Sequence, residues 1–190
     1  MNSEEVILAY QKSKRNKNLN EYICGRYPHM NSCGCIIPCR IALKEVTLDL
    51  VRPFLYISPV QGAYLDTKIS EYNIKHIINA SNDEYTERND INYYHLTLED
   101  TSTTNLIGNE TFKQSIQLIS EAISNQEGVL VHCHAGKSRS VSICVAYLII
   151  YDNLNVNDAI AQVQLVHPRA DPNEGFCMQL AELQPGCQYI

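Results

Sequence analysis

His132-Cys133-His134-Ala135-Gly136-Lys137-Ser138-Arg139-Ser140 stands between two apolar stretches. Ahead of it, Val129-Leu130-Val131 reads as the end of a buried strand, and behind it Val141 to Tyr151 reads as a core helix. A strand that reverses into a helix across so short a connection leaves the first N–H groups of the helix without intrahelical partners, all directed into the loop. Together with the helix dipole they attract an anion, and Gly136 can take backbone angles that a residue with a Cβ resists. Arg139 adds a planar fork able to hold two phosphate oxygens. The same field favours the thiolate form of Cys133, a nucleophile at the floor of a phosphate cradle.

Attack on a phosphate ester needs a proton donor for the leaving oxygen. The polar segment Leu98-Glu99-Asp100-Thr101-Ser102-Thr103-Thr104-Asn105 lies between a strand-like stretch, Asn92 to Leu96, and a helix beginning near Glu110. A carboxylic acid on it can protonate the leaving group and then, as carboxylate, activate water. Asp100 and Glu99 are the two candidates. The hydroxyl of Ser140 is placed to donate a hydrogen bond to the cysteine sulfur and ease departure of the thiolate.

The flanking sequence predicts an alternating α/β domain. Strands are expected near residues 54–57, 75–79, 92–97 and 129–132, with crossover helices between them. Phe112, Ile116, Ile119 and Ile123 recur at helical spacing, as do Val156, Ile160 and Val163 after the N-cap candidate Asn155, and Phe176, Leu180 and Leu183 mark a last amphipathic helix.

These segments resemble the cysteine-dependent protein tyrosine phosphatases, and among them the dual-specificity phosphatases. The family pattern of His-Cys, five residues, Arg-Ser/Thr is met by His132, Cys133, Arg139 and Ser140, and the subfamily form Ala-Gly-x-Ser-Arg-Ser by Ala135 to Ser140. Leu55-Tyr56-Ile57-Ser58, Ile74 to Asn79, Ala146-Tyr147-Leu148 and Pro172-Asn173-Glu174-Gly175-Phe176 are similar to further subfamily segments, so that the likeness runs from about residue 50 to 183. It implies the phosphatase fold, a central, mostly parallel sheet of four or five strands flanked by helices.

By the same resemblance Cys133 is the nucleophile, Arg139 the phosphate clamp, Asp100 the general acid and base, and Ser140 the aid to thiolate release. His134, Ala135, Gly136, Lys137, Ser138 and Arg139 line the substrate, and His132 and Asn173 support the loop. The implied activity is hydrolysis of phosphotyrosine and phosphoserine or phosphothreonine in proteins through a phosphocysteine intermediate, with no cofactor and no metal. The expected partner is a phosphorylated protein, a kinase among the candidates. Lysine at 137 is similar to enzymes that act on the 3-phosphate of inositol lipids. A phosphoinositide or RNA 5′-phosphatase on the same fold is therefore the alternative, with a phosphoresidue-binding pseudophosphatase as a third reading.

Composition bounds the rest. The chain has 190 residues, 45% of them hydrophobic, enough for one domain and its core. A formal charge of −6 argues against nucleic acid as a partner, since duplex binders carry basic stripes. Val141 to Tyr151 is about half the length of a membrane span. No secretory signal is visible at the N-terminus, and eight cysteines without one point to a reducing compartment, the cytoplasm or the nucleus. Oligomeric state is not legible.

The chain divides into an N-terminal extension over 1–45, a catalytic domain over 46–183 and a tail over 184–190. The extension holds a basic run, Lys12, Lys14, Arg15 and Lys17, then Cys24, His29, Cys33, Cys35 and Cys39. Such side chains bind zinc elsewhere, but no Cys-x2-Cys knuckle is present, and the segment is read as metal-free.

Overall fold

The computed structural model describes residues 46–186, so the expectations for the basic and cysteine-rich extension lie outside the described residues. The elements that follow belong to one compact unit that begins at Leu48. In chain order they are β1 (Asp49–Arg52), β2 (Leu55–Pro59), a 3-10 turn (Val60–Tyr64), α1 (Asp66–Glu71), β3 (Ile74–Asn79), β4 (Asn92–His95), α2 (Glu110–Ser124), β5 (Gly128–Cys133), α3 (Arg139–Tyr151), α4 (Val156–Val166) and α5 (Glu174–Leu180). The five strands lie in the order β1-β2-β5-β3-β4. Only β1 with β2 is antiparallel; the β2–β5, β5–β3 and β3–β4 pairs are parallel.

β5 is the centre of the sheet because it tolerates burial on both faces: all six of its residues are buried. Val129, Val131 and Cys133 enter the larger core with α2, α3, α4 and α5, while Leu130 enters the smaller one with Ile69 of α1, Ile74 and Ile77. The period-two alternation of a strand thus sends the cysteine to the helix-rich face. α3 is buried from Ser140 to Ile150 and fills the middle of that face, as expected of a core helix. Asparagines cap three of the other helices: Asn109, Asn155 and Asn173 accept from the backbone N–H of Phe112, Asp158 and Phe176.

Two features differ from the sequence reading. β1 was not expected; it is a four-residue edge strand with a register irregularity, in which only Val51 is buried, too short for a periodic signal. The step from β3 to β4 contains no helix. There Asn79 replaces one, its Oδ1 accepting from the N–H of Ser81 at 3.0 Å and from its hydroxyl at 2.7 Å, and its Nδ2 donating to the carbonyl of Asp83 at 2.9 Å. At the other end of the chain, Gly186 donates to Ile150 O at 2.9 Å and ties residues past α5 to the end of α3.

Phe112 anchors α2 on the sheet and is 1% exposed. Phe112→Ala is expected to cost about 3–5 kcal/mol, read as a lower urea midpoint with an unchanged slope.

Candidate active site

The C-terminal ends of β2 and β5 lie side by side, with Pro59 opposite Cys133, and in parallel sheets that edge is where ligands bind. Cys133 ends β5 at 1% exposure, and its Sγ lies 3.2 Å from the hydroxyl of Ser140 in the first turn of α3. Gly136 has φ +65°, and a Cβ there would come within 2.7 Å of Pro59 N, so the turn requires glycine.

Between Cys133 and α3 the carbonyls turn outward. Those of His134, Lys137 and Ser138 accept from the N–H groups of Val60 at 3.2 Å, Asp171 at 2.8 Å and Ser142 at 2.8 Å, and that of Gly136 accepts from His167 Nε2 at 2.6 Å. A planar trans peptide points its N–H opposite to its C=O. The N–H groups of Ala135, Lys137, Ser138 and Arg139 therefore face the inside of the loop. Ser138 stands at the N-cap of α3 without capping it, which leaves the helix terminus to an anion.

Arg139 is held loosely. Its Nη1 donates to Leu98 O at 3.4 Å, while Nε is buried without a hydrogen bond and lies 3.5 Å from Asp100 Oδ2. A guanidinium with unspent donors beside a ring of N–H groups fits a tetrahedral dianion.

Asp100 reaches the rim of the same loop. Its Oδ1 accepts from the Ser138 hydroxyl at 2.6 Å and from Asn173 Nδ2 at 2.9 Å, and the Ser138 oxygen in turn accepts from Asn173 N at 3.1 Å. Glu99 makes none of these contacts. Asn173 thus braces the Asp100 carboxylate as well as capping α5, a contact beyond the loop support expected of it. Two further residues hold the segment after Asp100 against α5. Gln179 accepts from Leu106 N at 2.7 Å and donates to Thr104 O at 2.9 Å, and a Cβ on Gly175 would meet Ser102 O at 1.9 Å.

His132 is fully buried, with Nε2 2.7 Å from the hydroxyl of Tyr85. Burial lowers its pKa to about 4, so the ring is neutral near pH 7. His134 turns aside from the loop, Nδ1 lying 3.1 Å from both oxygens of Asp83, and Lys137 Nζ sits 2.8 Å from Asp171 Oδ2 on the outer surface. The free cysteines among the described residues are Cys133, Cys144 and Cys177, and burial pushes the Cys144 thiol well up, which makes it a poor redox partner. No group of three or more metal-binding side chains occurs among the described residues, nor is any of their helices long and apolar enough to cross a membrane.

The sequence reading missed Tyr85, Gln179, Asp49 and His167. Gln179 had a signal of a kind, lying one helical turn after Gly175; the other three come from separate loops and strands with no shared motif.

The model of the dual specificity phosphatase catalytic domain matches residues 55–185. Dual specificity protein phosphatase 22-B of Danio rerio is 36% identical over 139 residues, which are 73% of this chain and 75% of that protein. Dual specificity protein phosphatase Mpk3 of Drosophila melanogaster is 32% identical over 155 residues, but the match spans 77% of this chain and 37% of that protein. Among solved structures, the crystal structure of DUSP15 superimposes with a TM-score of 0.67 at 31% identity, covering 72% of this chain and 85% of that one.

The depressed pKa of His132 makes a pH prediction. In the unfolded chain the ring takes up a proton below about pH 6.5, whereas in the folded protein it stays neutral down to about 4. Its contribution is complete above pH 6.5 and is lost as pH falls towards 4, amounting to about 3 kcal/mol. Denaturant midpoints between pH 7 and 4 should fall less steeply for His132→Gln than for the unaltered chain.

Proposed function

This chain belongs to the dual specificity phosphatase family, and we propose that it removes phosphate from tyrosine and from serine or threonine of phosphoproteins by the following use of its own residues. The phosphate seats among the inward N–H groups and the Arg139 fork. The Cys133 thiolate attacks phosphorus; the P–S bond forms as the P–O bond to the leaving oxygen breaks, and Asp100, protonated, gives that oxygen its proton. A water then loses a proton to the Asp100 carboxylate and attacks the phosphocysteine, and the sulfur departs as thiolate with a hydrogen bond from Ser140. The single observation that carries this reading is the convergence of Cys133, Ser140, Arg139 and Asp100 on one loop mouth. A pseudophosphatase usually lacks the cysteine, the arginine or the acid, and this chain retains all three.

Phosphoprotein is favoured over a polyphosphorylated lipid by the company of the two basic loop residues. His134 faces Asp83 and Lys137 faces Asp171. On the His134 side a hollow of about 330 Å³ is lined by Asp83, Glu84 and Glu87 among others. Added phosphates would meet carboxylates there, whereas basic peptide side chains would find partners. A kinase is retained as one candidate phosphoprotein, and a reducing compartment, cytoplasm or nucleus, as the setting that keeps Cys133 a thiol.

Cys133→Ser should abolish turnover while phosphopeptide binding by calorimetry persists; residual turnover at the unaltered rate would remove the cysteine from the mechanism. Asp100→Ala should lower kcat on a phosphothreonine peptide about 100-fold or more, and far less on nitrophenyl phosphate, whose leaving group needs no proton. Equal losses on both substrates would assign the acid elsewhere. Turnover of inositol lipids above that of phosphopeptides, in one side-by-side panel, would overturn the substrate assignment.

A further inference from the structure

We infer that His167, oriented by Asp49, is a positioning residue of this active site: it pins the Gly136–Lys137 peptide so that the Lys137 N–H meets the phosphate. The inference rests on the phosphatase reading of the loop. His167 follows the last turn of α4 and is 4% exposed. Its ring spans two separate parts of the fold, with Nδ1 2.5 Å from Asp49 Oδ2 on the edge strand β1 and Nε2 2.6 Å from the carbonyl of Gly136. Neither a carbonyl nor a carboxylate has a proton to give, so Nε2 donates to Gly136 O and Nδ1 donates to Asp49 Oδ2, and the second contact fixes the rotation of the ring. The backbone of His167 is itself held, donating to Val163 O at 2.8 Å and accepting from Ala170 N at 2.9 Å.

The need for such a pin follows from glycine. Gly136 has no Cβ to resist rotation of its peptide, and at φ +65° it occupies a region where glycine moves at little cost. If the Gly136–Lys137 peptide turned over, the Lys137 N–H would leave the loop and the Gly136 carbonyl would take its place, setting a partial negative charge against the phosphate dianion. The carbonyls of His134, Lys137 and Ser138 are pinned by backbone N–H groups, which the fold supplies whatever the side chains are. That of Gly136 is pinned by a side chain. It is therefore the one loop peptide among these four whose direction a single substitution can release.

The test uses the full chain carrying His167→Leu, His167→Gln or Asp49→Ala, with tungstate as the oxyanion probe. Gln keeps an N–H donor at similar reach, whereas Leu fills the space without one. His167→Leu is expected to weaken tungstate inhibition and kcat/KM on nitrophenyl phosphate about tenfold each, the worth of one hydrogen bond to a charged-site peptide. His167→Gln should recover most of both, and Asp49→Ala should shift both in the same direction by a few-fold. A purely structural role would lower the melting temperature of all three while leaving the tungstate constant of the folded protein in place, and that result overturns the inference. So does an equal loss in the Leu and Gln variants. Should His167→Leu fail to fold, an unchanged tungstate constant in Asp49→Ala is decisive against it. An unaltered chain that neither hydrolyses phosphate esters nor binds tungstate defeats the phosphatase reading itself; an active one with indifferent variants defeats only the role of His167.

Discussion

Four carbonyl groups facing away from the loop between Cys133 and α3 set the direction of the N–H groups that face into it. A peptide plane has two polar ends, and one cannot be aimed without the other. The partners of those carbonyls come from the turn after β2, from the segment after α4, and from α3 itself. The anion site is thus a by-product of satisfying ordinary backbone hydrogen bonds at the end of a parallel sheet. It depends on β5 being central, since only there do elements from several directions reach the loop.

The segment that carries Asp100 is bound to that loop through shared partners rather than through a rigid backbone of its own. Ser138, at the N-cap of α3, spends its hydroxyl on Asp100, and Asn173 spends one side-chain atom on the same carboxylate and another on its own helix. Two helix starts, α3 and α5, are joined across one carboxylate. Gly175 lets the acid segment touch α5 closely enough for this, which gives physical content to a glycine that sequence alone marks only as part of a motif.

Much of the fold was legible because it is built from long, strongly patterned stretches. β5 and α3 announce themselves as unbroken apolar runs, and Asn155 was recognisable as a cap for α4. That Cys133, Arg139 and Ser140 come together was legible for the same reason, since one contiguous loop carries them. The pattern alone left Asp100 and Glu99 both open, because a loop has no periodicity to say which carboxylate points inward, and the resemblance chose Asp100; it is Asp100 that contacts Ser138 and Asn173. His167 and Asp49 were not legible at all. They are 118 residues apart, and each looks by itself like a commonplace residue at the end of an element or on an edge strand.

The neighbours of the cysteine show how charge and geometry divide the work. A loop that binds a dianion gains affinity from a nearby cation, and the loop carries two basic side chains beside the clamp, His134 and Lys137. Both are matched with a carboxylate, one across a half-exposed contact with Asp83 and one on the open surface with Asp171. Exposed pairs of this kind contribute little to stability. Their consequence is electrostatic: carboxylates stand beside both basic side chains at the rim, whereas the N–H groups and Arg139 act at the floor. A phosphate on a short linker to a protein backbone feels mainly the floor. A headgroup with several phosphates would extend over the rim, and there the pairing with Asp83 and Asp171 removes what would otherwise hold it.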